Sequence, residues 1–250
     1  MKKIEHIMGM PITLEIVDSV IEDILEEDAK IVFDYFRHVD EKFSKFKKES
    51  ELNKINRKEI SENEFSPEML EVLKLSEETK LLTNGYFDIK FGSEECDTSG
   101  LVKGWAIYNA AKILWKRGRK NFFVDAGSDI QFSGVNSEGE MWSIGIRNPF
   151  KIEEVVKILR LTDMGVATSG TYARGQHIYN PKNLGAPITD IVSLTVIGPN
   201  IYEADRFATA AFAMGAEGIN FIENLKGFEG YQISKDGIAT MTSNFGEYIK

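Results

Sequence analysis

Between Asp18 and Phe46 the apolar residues Ile21, Ile24, Leu25, Ala29, Val32, Phe33, Phe36, Val39 and Phe43 recur mostly at steps of three and four. That spacing lines them along one stripe of a long amphipathic helix. A stripe so broad must be covered by a second layer, and the nature of that layer decides the fold class.

The rest of the chain supplies short β-type runs at Pro11–Val17, Phe122–Val124, Trp142–Ile146, Val155–Leu161, Ser193–Ile197, Tyr231–Ser234 and Ile238–Thr242, most of them bounded by Gly, Asn, Asp or Pro. Further helices are expected from Ser66-Pro67-Glu68 to about Leu82, where a hydroxyl precedes proline at the first helical position and Asn84-Gly85 marks the stop. Others are expected over Gly104–Lys116, Ala204–Met214 and Ala216–Asn224. Helices and strands do not alternate as regular βαβ units, which predicts an α+β fold with a mixed sheet and packed helices instead of a doubly wound one. No repeat, low-complexity tract or Pro/Gly/Ser linker divides the 250 residues, so one domain over 1–250 is expected.

Thirty Lys and Arg against 39 Asp and Glu give a formal net charge of −9, with the basic residues scattered. Nucleic-acid binding draws its affinity from clustered cations and is not expected. The single cysteine, Cys96, has no intramolecular partner and supplies no cysteine-rich metal site. Glu5 and His6 interrupt the stretch where a signal peptide needs its apolar run, and no segment approaches the roughly 20 apolar residues of a spanning helix. A cytoplasmic protein without a transmembrane segment is the expectation.

Chemistry can be sought in a few clusters. Asp97-Thr98-Ser99-Gly100-Leu101-Val102-Lys103-Gly104 leads small residues into a helix, a setting that admits an anion at the helix start or serves as an ordinary turn. Asp205 and Thr209 stand four apart, so on a helix they share a face and together suit a hard cation. On the residues alone, a helix start capped by Asp205 is the better reading of that stretch. Thr168-Ser169-Gly170-Thr171-Tyr172 is followed by His177-Ile178-Tyr179-Asn180-Pro181, and Val124-Asp125-Ala126-Gly127-Ser128-Asp129 is either a turn or a backbone cradle.

Taken in order, these segments resemble the ApbE family of FAD:protein FMN transferases. Met8-Gly9-Met10 is similar to the family's Met-Gly-Thr, Phe43-Ser44 through Ser50-Glu51-Leu52 to its Phe-Ser…Ser-Glu-Leu, and Gly85-Tyr86-Phe87-Asp88 to its Gly-Ala/Tyr-Phe-Asp. Asp97 to Gly104 resembles Asp-Leu-Gly-Gly-Ile-Ala-Lys-Gly, and Ala126 to Asp129 resembles Ala-Gly-Gly-Asp. The block at Thr168 is similar to Thr-Ser-Gly-Asp-Tyr, that at His177 to His-Ile-Ile-Asp-Pro, and Ala204-Asp205 with Ala208-Thr209 to Ala-Asp…Ala-Thr.

The resemblance implies FAD as substrate, held in a groove with Mg²⁺ on its pyrophosphate. It makes Asp205 and Thr209 side-chain ligands of the metal, with main-chain oxygens at Gly100 and Ala208, and so displaces the cap reading. It puts Met8, Phe46, Tyr86, Phe87, Asp88, Asp97, Lys103 and Tyr179 at flavin-contacting positions and makes His177 the candidate for taking a proton. The implied reaction transfers FMN to a Ser or Thr hydroxyl of an acceptor protein and releases AMP. Asn180 stands where the pattern has Asp, Ser99 and Ser128 stand where it has Gly, and the loop Lys182-Asn183-Leu184-Gly185 lacks the usual Thr. The competing readings are a flavin-holding protein without transfer and a Mg²⁺-dependent FAD pyrophosphatase.

Overall fold

A computed structural model describes residues 1–90, 93–171, 178–183 and 187–250. The chain opens with strands β1 (Lys2–Ile7) and β2 (Met10–Ile16), then helices α1 (Glu22–Phe43), α2 (Glu51–Asn56), α3 (Pro67–Leu82) and α4 (Ser99–Lys116). Strands β3 (Phe122–Ala126), β4 (Asp129–Ser133), β5 (Trp142–Asn148), β6 (Lys151–Leu161), β7 (Gly165–Gly170) and β8 (Ile191–Gly198) follow. Helices α5 (Ile201–Ala213) and α6 (Gly218–Glu223) precede β9 (Glu229–Ser234) and β10 (Ala239–Met241).

Eight strands form one sheet in the order β1-β2-β3-β4-β7-β8-β9-β10, and every neighbouring pair is antiparallel. Strands β5 and β6 form a separate two-stranded sheet, with Leu159 of β6 also bridging to Ile249. The expected α+β class is observed, and the all-antiparallel pairing accounts for the missing βαβ rhythm. Because side chains alternate across a strand, the central strands divide their apolar residues between two layers. Ile12, Leu14, Val124, Ala126, Ala167, Leu194 and Val196 join the core under the helices. Ile130, Phe132, Val166, Ile197, Tyr231 and Ile233 join a second core with Trp142, Leu159 and Leu161 of the β5–β6 hairpin.

The predicted amphipathic stripe is buried from Leu25 to Phe43, whereas Ile21 lies outside the helix and is exposed. Asp28 lies fully buried on that stripe and is ion-paired with Arg117 and, at 3.2 Å, Arg119. Two boundaries shift in ways that matter. Helix α4 begins at Ser99, five residues before Gly104, and α5 begins at Ile201, not Ala204. The first shift brings Gly100 and Lys103 from a loop into α4, and the second places Asp205 one turn inside α5 instead of at its start. Strands β1, β4 and β7 and helix α2 were not anticipated, each being a short run with a weak apolar signature or one read for its motif.

Tight turns fix the sheet's register. Met8 and Gly9 join β1 to β2 as a two-residue loop with φ of 57° and 73°, and Gly127 and Ser128 join β3 to β4 with φ of 64° and 78°. Left-handed values at both loop residues match the right-handed strand twist.

Candidate functional site

The candidate residues converge where α4 crosses α5. Their approach depends on Gly104: a Cβ there would lie 2.6 Å from Asp205 Cβ and 2.9 Å from the Ile201 carbonyl oxygen. Bare backbone lets the Gly104 N–H donate to Asp205 Oδ2 at 2.8 Å. Asp205 is therefore not the cap of its helix. That role belongs to Asn200, whose Oδ1 accepts from the Glu203 N–H at 3.0 Å, while buried Gln131 accepts from the Ile201 N–H at 2.9 Å. The cap reading failed because the helix starts a turn earlier, behind Asn200 and a Gln supplied by a distant strand.

With α5 held this way, Asp205 and Thr209 lie one turn apart on the side facing α4. The Thr209 hydroxyl sits 3.5 Å from the Gly100 carbonyl oxygen, at the outer limit of a hydrogen bond. A Cβ on Gly100 would meet both the Phe87 ring and Thr209 Cγ2 at 3.3 Å, which puts Phe87 against the same crossing. Ala208 is fully buried beside Thr209. Lys103 projects from the second turn of α4 and is ion-paired with Asp129, and its Nζ lies 3.5 Å from Asp205 Oδ1.

Burial holds the Asp205 carboxyl well above the usual carboxylate range, and the neighbouring Asp129 adds to the rise. Lys103 and the Gly104 N–H pull the other way. Asp129 is 1% exposed and also accepts from the Thr168 N–H at 2.9 Å, joining β4 to β7. Its part in the cluster was not singled out from sequence. The available signal was its place at the end of the Ala126-Gly127-Ser128-Asp129 block.

Around this centre the other predicted residues spread. Asp97 accepts from the Ser99 N–H at 3.0 Å and pairs with Lys45 at 2.7 Å. Burial pushes its carboxyl up, yet those two partners together hold it below the ordinary value. Phe46 is 88% exposed with Lys45 over its ring at 5.6 Å, so the chain beyond α1 presents a bare aromatic next to the Asp97 turn. The Tyr86 ring lies under Lys182 at 4.3 Å, which brings the segment after Tyr179 over the Gly85–Asp88 turn. Tyr179 is half-exposed. Asp88 pairs with Lys80 at 2.9 Å and lines a cavity of about 320 Å³ with Leu73, Ser76, Glu77, Ile89 and Lys90; of the predicted contacts this cavity includes Asp88 alone. Met8 occupies the β1–β2 turn. His177 lies outside the described residues.

The departures have local explanations. Asn180 Oδ1 accepts from the Lys182 N–H at 2.9 Å, a turn bond that Asn and Asp make equally well. Ser128 keeps the left-handed backbone that glycine would supply freely, steadied by its N–H donating to Asp125 Oδ1 at 2.8 Å. Ser99 is the first residue of α4 and needs no glycine.

Among the described residues no three His, Cys, Asp or Glu side chains cluster as a metal site. The α4–α5 crossing instead offers one carboxylate, one hydroxyl and main-chain carbonyls. These are hard oxygen donors, suited to a cation such as Mg²⁺ or Mn²⁺ that keeps other oxygens in its shell.

Known proteins resemble this chain in sequence and in fold. A sequence profile of the ApbE family matches residues 8–95 and 93–231. The FAD:protein FMN transferase of Klebsiella pneumoniae (strain 342) is 31% identical over 151 residues, a match covering 56% of this chain and 43% of that relative's length. Among solved structures, the flavin transferase ApbE from Vibrio cholerae superposes with a TM-score of 0.82 at 23% identity, over 99% of this chain and 98% of that one. The ApbE protein from Thermotoga maritima reaches 0.87 at 21% identity, over 100% and 99%. At those identities the superpositions establish the fold.

Proposed function

The chain belongs to the ApbE family, and from that premise we propose that it is an FAD:protein FMN transferase working with a divalent cation, Mg²⁺ by preference. The observation that carries the reading is the α4–α5 crossing, where Gly100, Asp205 and Thr209 present hard oxygens beside the Lys103 ammonium. The names of the relatives support the activity.

In this reading the start of α4 receives the pyrophosphate. Its first turn carries no carboxylate of its own, and the positive end of the helix together with the nearby Lys103 ammonium favours an anion there. Asp205, Thr209 and the carbonyls of Gly100 and Ala208 hold the cation. Phe46 and Tyr179 offer planar surfaces to the flavin's rings, with Met8, Tyr86, Phe87, Asp88 and Asp97 completing the groove. A bound Mg²⁺ supplies positive charge against the pyrophosphate oxygens as negative charge moves toward AMP.

The acceptor's Ser or Thr oxygen then bonds to the FMN-side phosphorus. The bond from that phosphorus to the bridging oxygen breaks, and AMP leaves with that oxygen. His177 takes the hydroxyl proton. The protein's own contribution is alignment and charge, which this class of transfer needs most.

Asp205→Asn tests the assignment, because the amide oxygen still accepts the Gly104 N–H. The variant is expected to melt near the wild-type temperature while AMP release from FAD in the presence of acceptor falls on the order of 100-fold, the scale of lost transition-state electrostatics. Undiminished AMP release would remove Asp205 from the mechanism. A flavin-holding protein without transfer is the second reading, prompted by Asn180, and it is recognised by FAD binding with no AMP released.

A further inference from the structure

Asp129 is buried, is not one of the oxygens assigned to the cation, and is ion-paired with the lysine that reaches Asp205. We propose that Asp129 is a positioning residue that holds the Lys103 ammonium off the Asp205 carboxylate, leaving Asp205 Oδ1 able to bind a divalent cation. The inference rests on the metal reading given above.

Two carboxylates and one ammonium share this cluster. Lys103 contacts Asp129 closely, whereas its Nζ stands 3.5 Å from Asp205 Oδ1, so the ammonium is unequally divided in favour of Asp129. The other Asp205 oxygen is already occupied by the Gly104 N–H. Lys103 and an incoming cation thus compete for one remaining oxygen, and whatever draws the ammonium away favours the cation. Asp129 is built to do so. Its Oδ1 is fixed by the Thr168 N–H, which leaves Oδ2 aimed at Lys103. Lys103 is one-fifth exposed and flexible in its stem, so it would turn onto Asp205 once that attraction is gone.

The test is a double-mutant cycle read by direct Mn²⁺ binding to the full chain without flavin, using the paramagnetic resonance signal of free Mn²⁺. Asp129→Asn keeps the oxygen that accepts from Thr168 and removes the charge. It is expected to weaken Mn²⁺ binding about tenfold or more, the effect typical of residues that orient a metal's ligands. Lys103→Gln alone is expected to tighten binding, and in the Lys103→Gln background Asp129→Asn is expected to cost less than about threefold, since the competitor is absent.

An equal loss in both backgrounds would mean that Asp129 acts through its own charge or through the fold, and would overturn the proposal. Should Asp129→Asn not fold, Lys103→Gln decides alone: tighter binding supports the proposal and unchanged or weaker binding overturns it. No saturable Mn²⁺ binding to the wild-type protein would instead overturn the metal reading, and this inference with it.

Discussion

Asp125 shows how burial of one carboxyl registers in the whole protein. Burial pushes it from an ordinary 3.8 to about 6; nearby Asp129 adds to the rise, while the Ser128 N–H, Arg147 and Lys2 oppose it. A carboxyl with a raised folded-state value stabilises the fold while protonated. That contribution is complete below 3.8 and is lost as pH climbs through about 6. Asp125→Asn keeps the acceptor for Ser128 and cannot ionise, so its melting temperature should gain on the wild type between those pH values and hold a constant lead above them. Parallel melting curves across the range would show that Asp125 is not penalised by ionisation. Ser128, its partner, is strained instead of buried: at φ 78° a non-glycine residue costs roughly 1–2 kcal/mol. Ser128→Gly relieves this and loses part of the gain to unfolded-chain entropy. A net gain of about 0.5–1 kcal/mol in urea unfolding is expected, and a loss would mean the Asp125 turn depends on serine.

At the scale of elements, the α4–α5 crossing is the part on which the site depends. Gly104→Ala introduces a methyl group into a space bounded by Asp205 Cβ at 2.6 Å and the Ile201 carbonyl at 2.9 Å. Overpacking of this kind costs about 1–3 kcal/mol, and because the methyl group displaces Asp205, Mn²⁺ affinity should fall together with thermal stability. Unchanged affinity in a destabilised variant would separate the crossing from the site. The sequence made part of this legible. The period of α1 is visible because its stripe is apolar and long, and the Asp205–Thr209 pair is visible because helical spacing puts four-apart residues on one face. The start of α5 was not visible, since a Gln from β4 satisfies its first amide and no local pattern records that contact. Strand β4 escaped for a related reason: buried on both faces, with Asp, Gln and Ser among its residues, it shows no alternation to read.

Across the whole molecule, the sheet separates a helical layer that carries the candidate site from a hairpin layer that does not. Trp142 fixes the second layer, meeting Phe123 edge-on at 5.2 Å, stacking on Phe132 at 6.3 Å and donating to the Ser133 carbonyl at 3.0 Å. Trp142→Ala should cost about 3–5 kcal/mol and leave Mn²⁺ affinity of the folded protein unchanged, in contrast to Gly104→Ala. A parallel loss of affinity, measured well below the melting temperature, would show that the two layers are coupled. The groove assigned to FAD draws on segments from Met8 to Thr209, and only their order along the chain made them legible as a set, because none of the segments is distinctive alone.

The decisive measurement is the intact mass of a Thr-containing acceptor protein after incubation with this chain, FAD and Mg²⁺, paired with the amount of AMP released. Transfer predicts that the acceptor gains the mass of FMN less one water, with one AMP per acceptor modified, and that a chelator abolishes both. AMP released in the presence of an acceptor of unchanged mass would contradict transfer and identify hydrolysis of FAD instead.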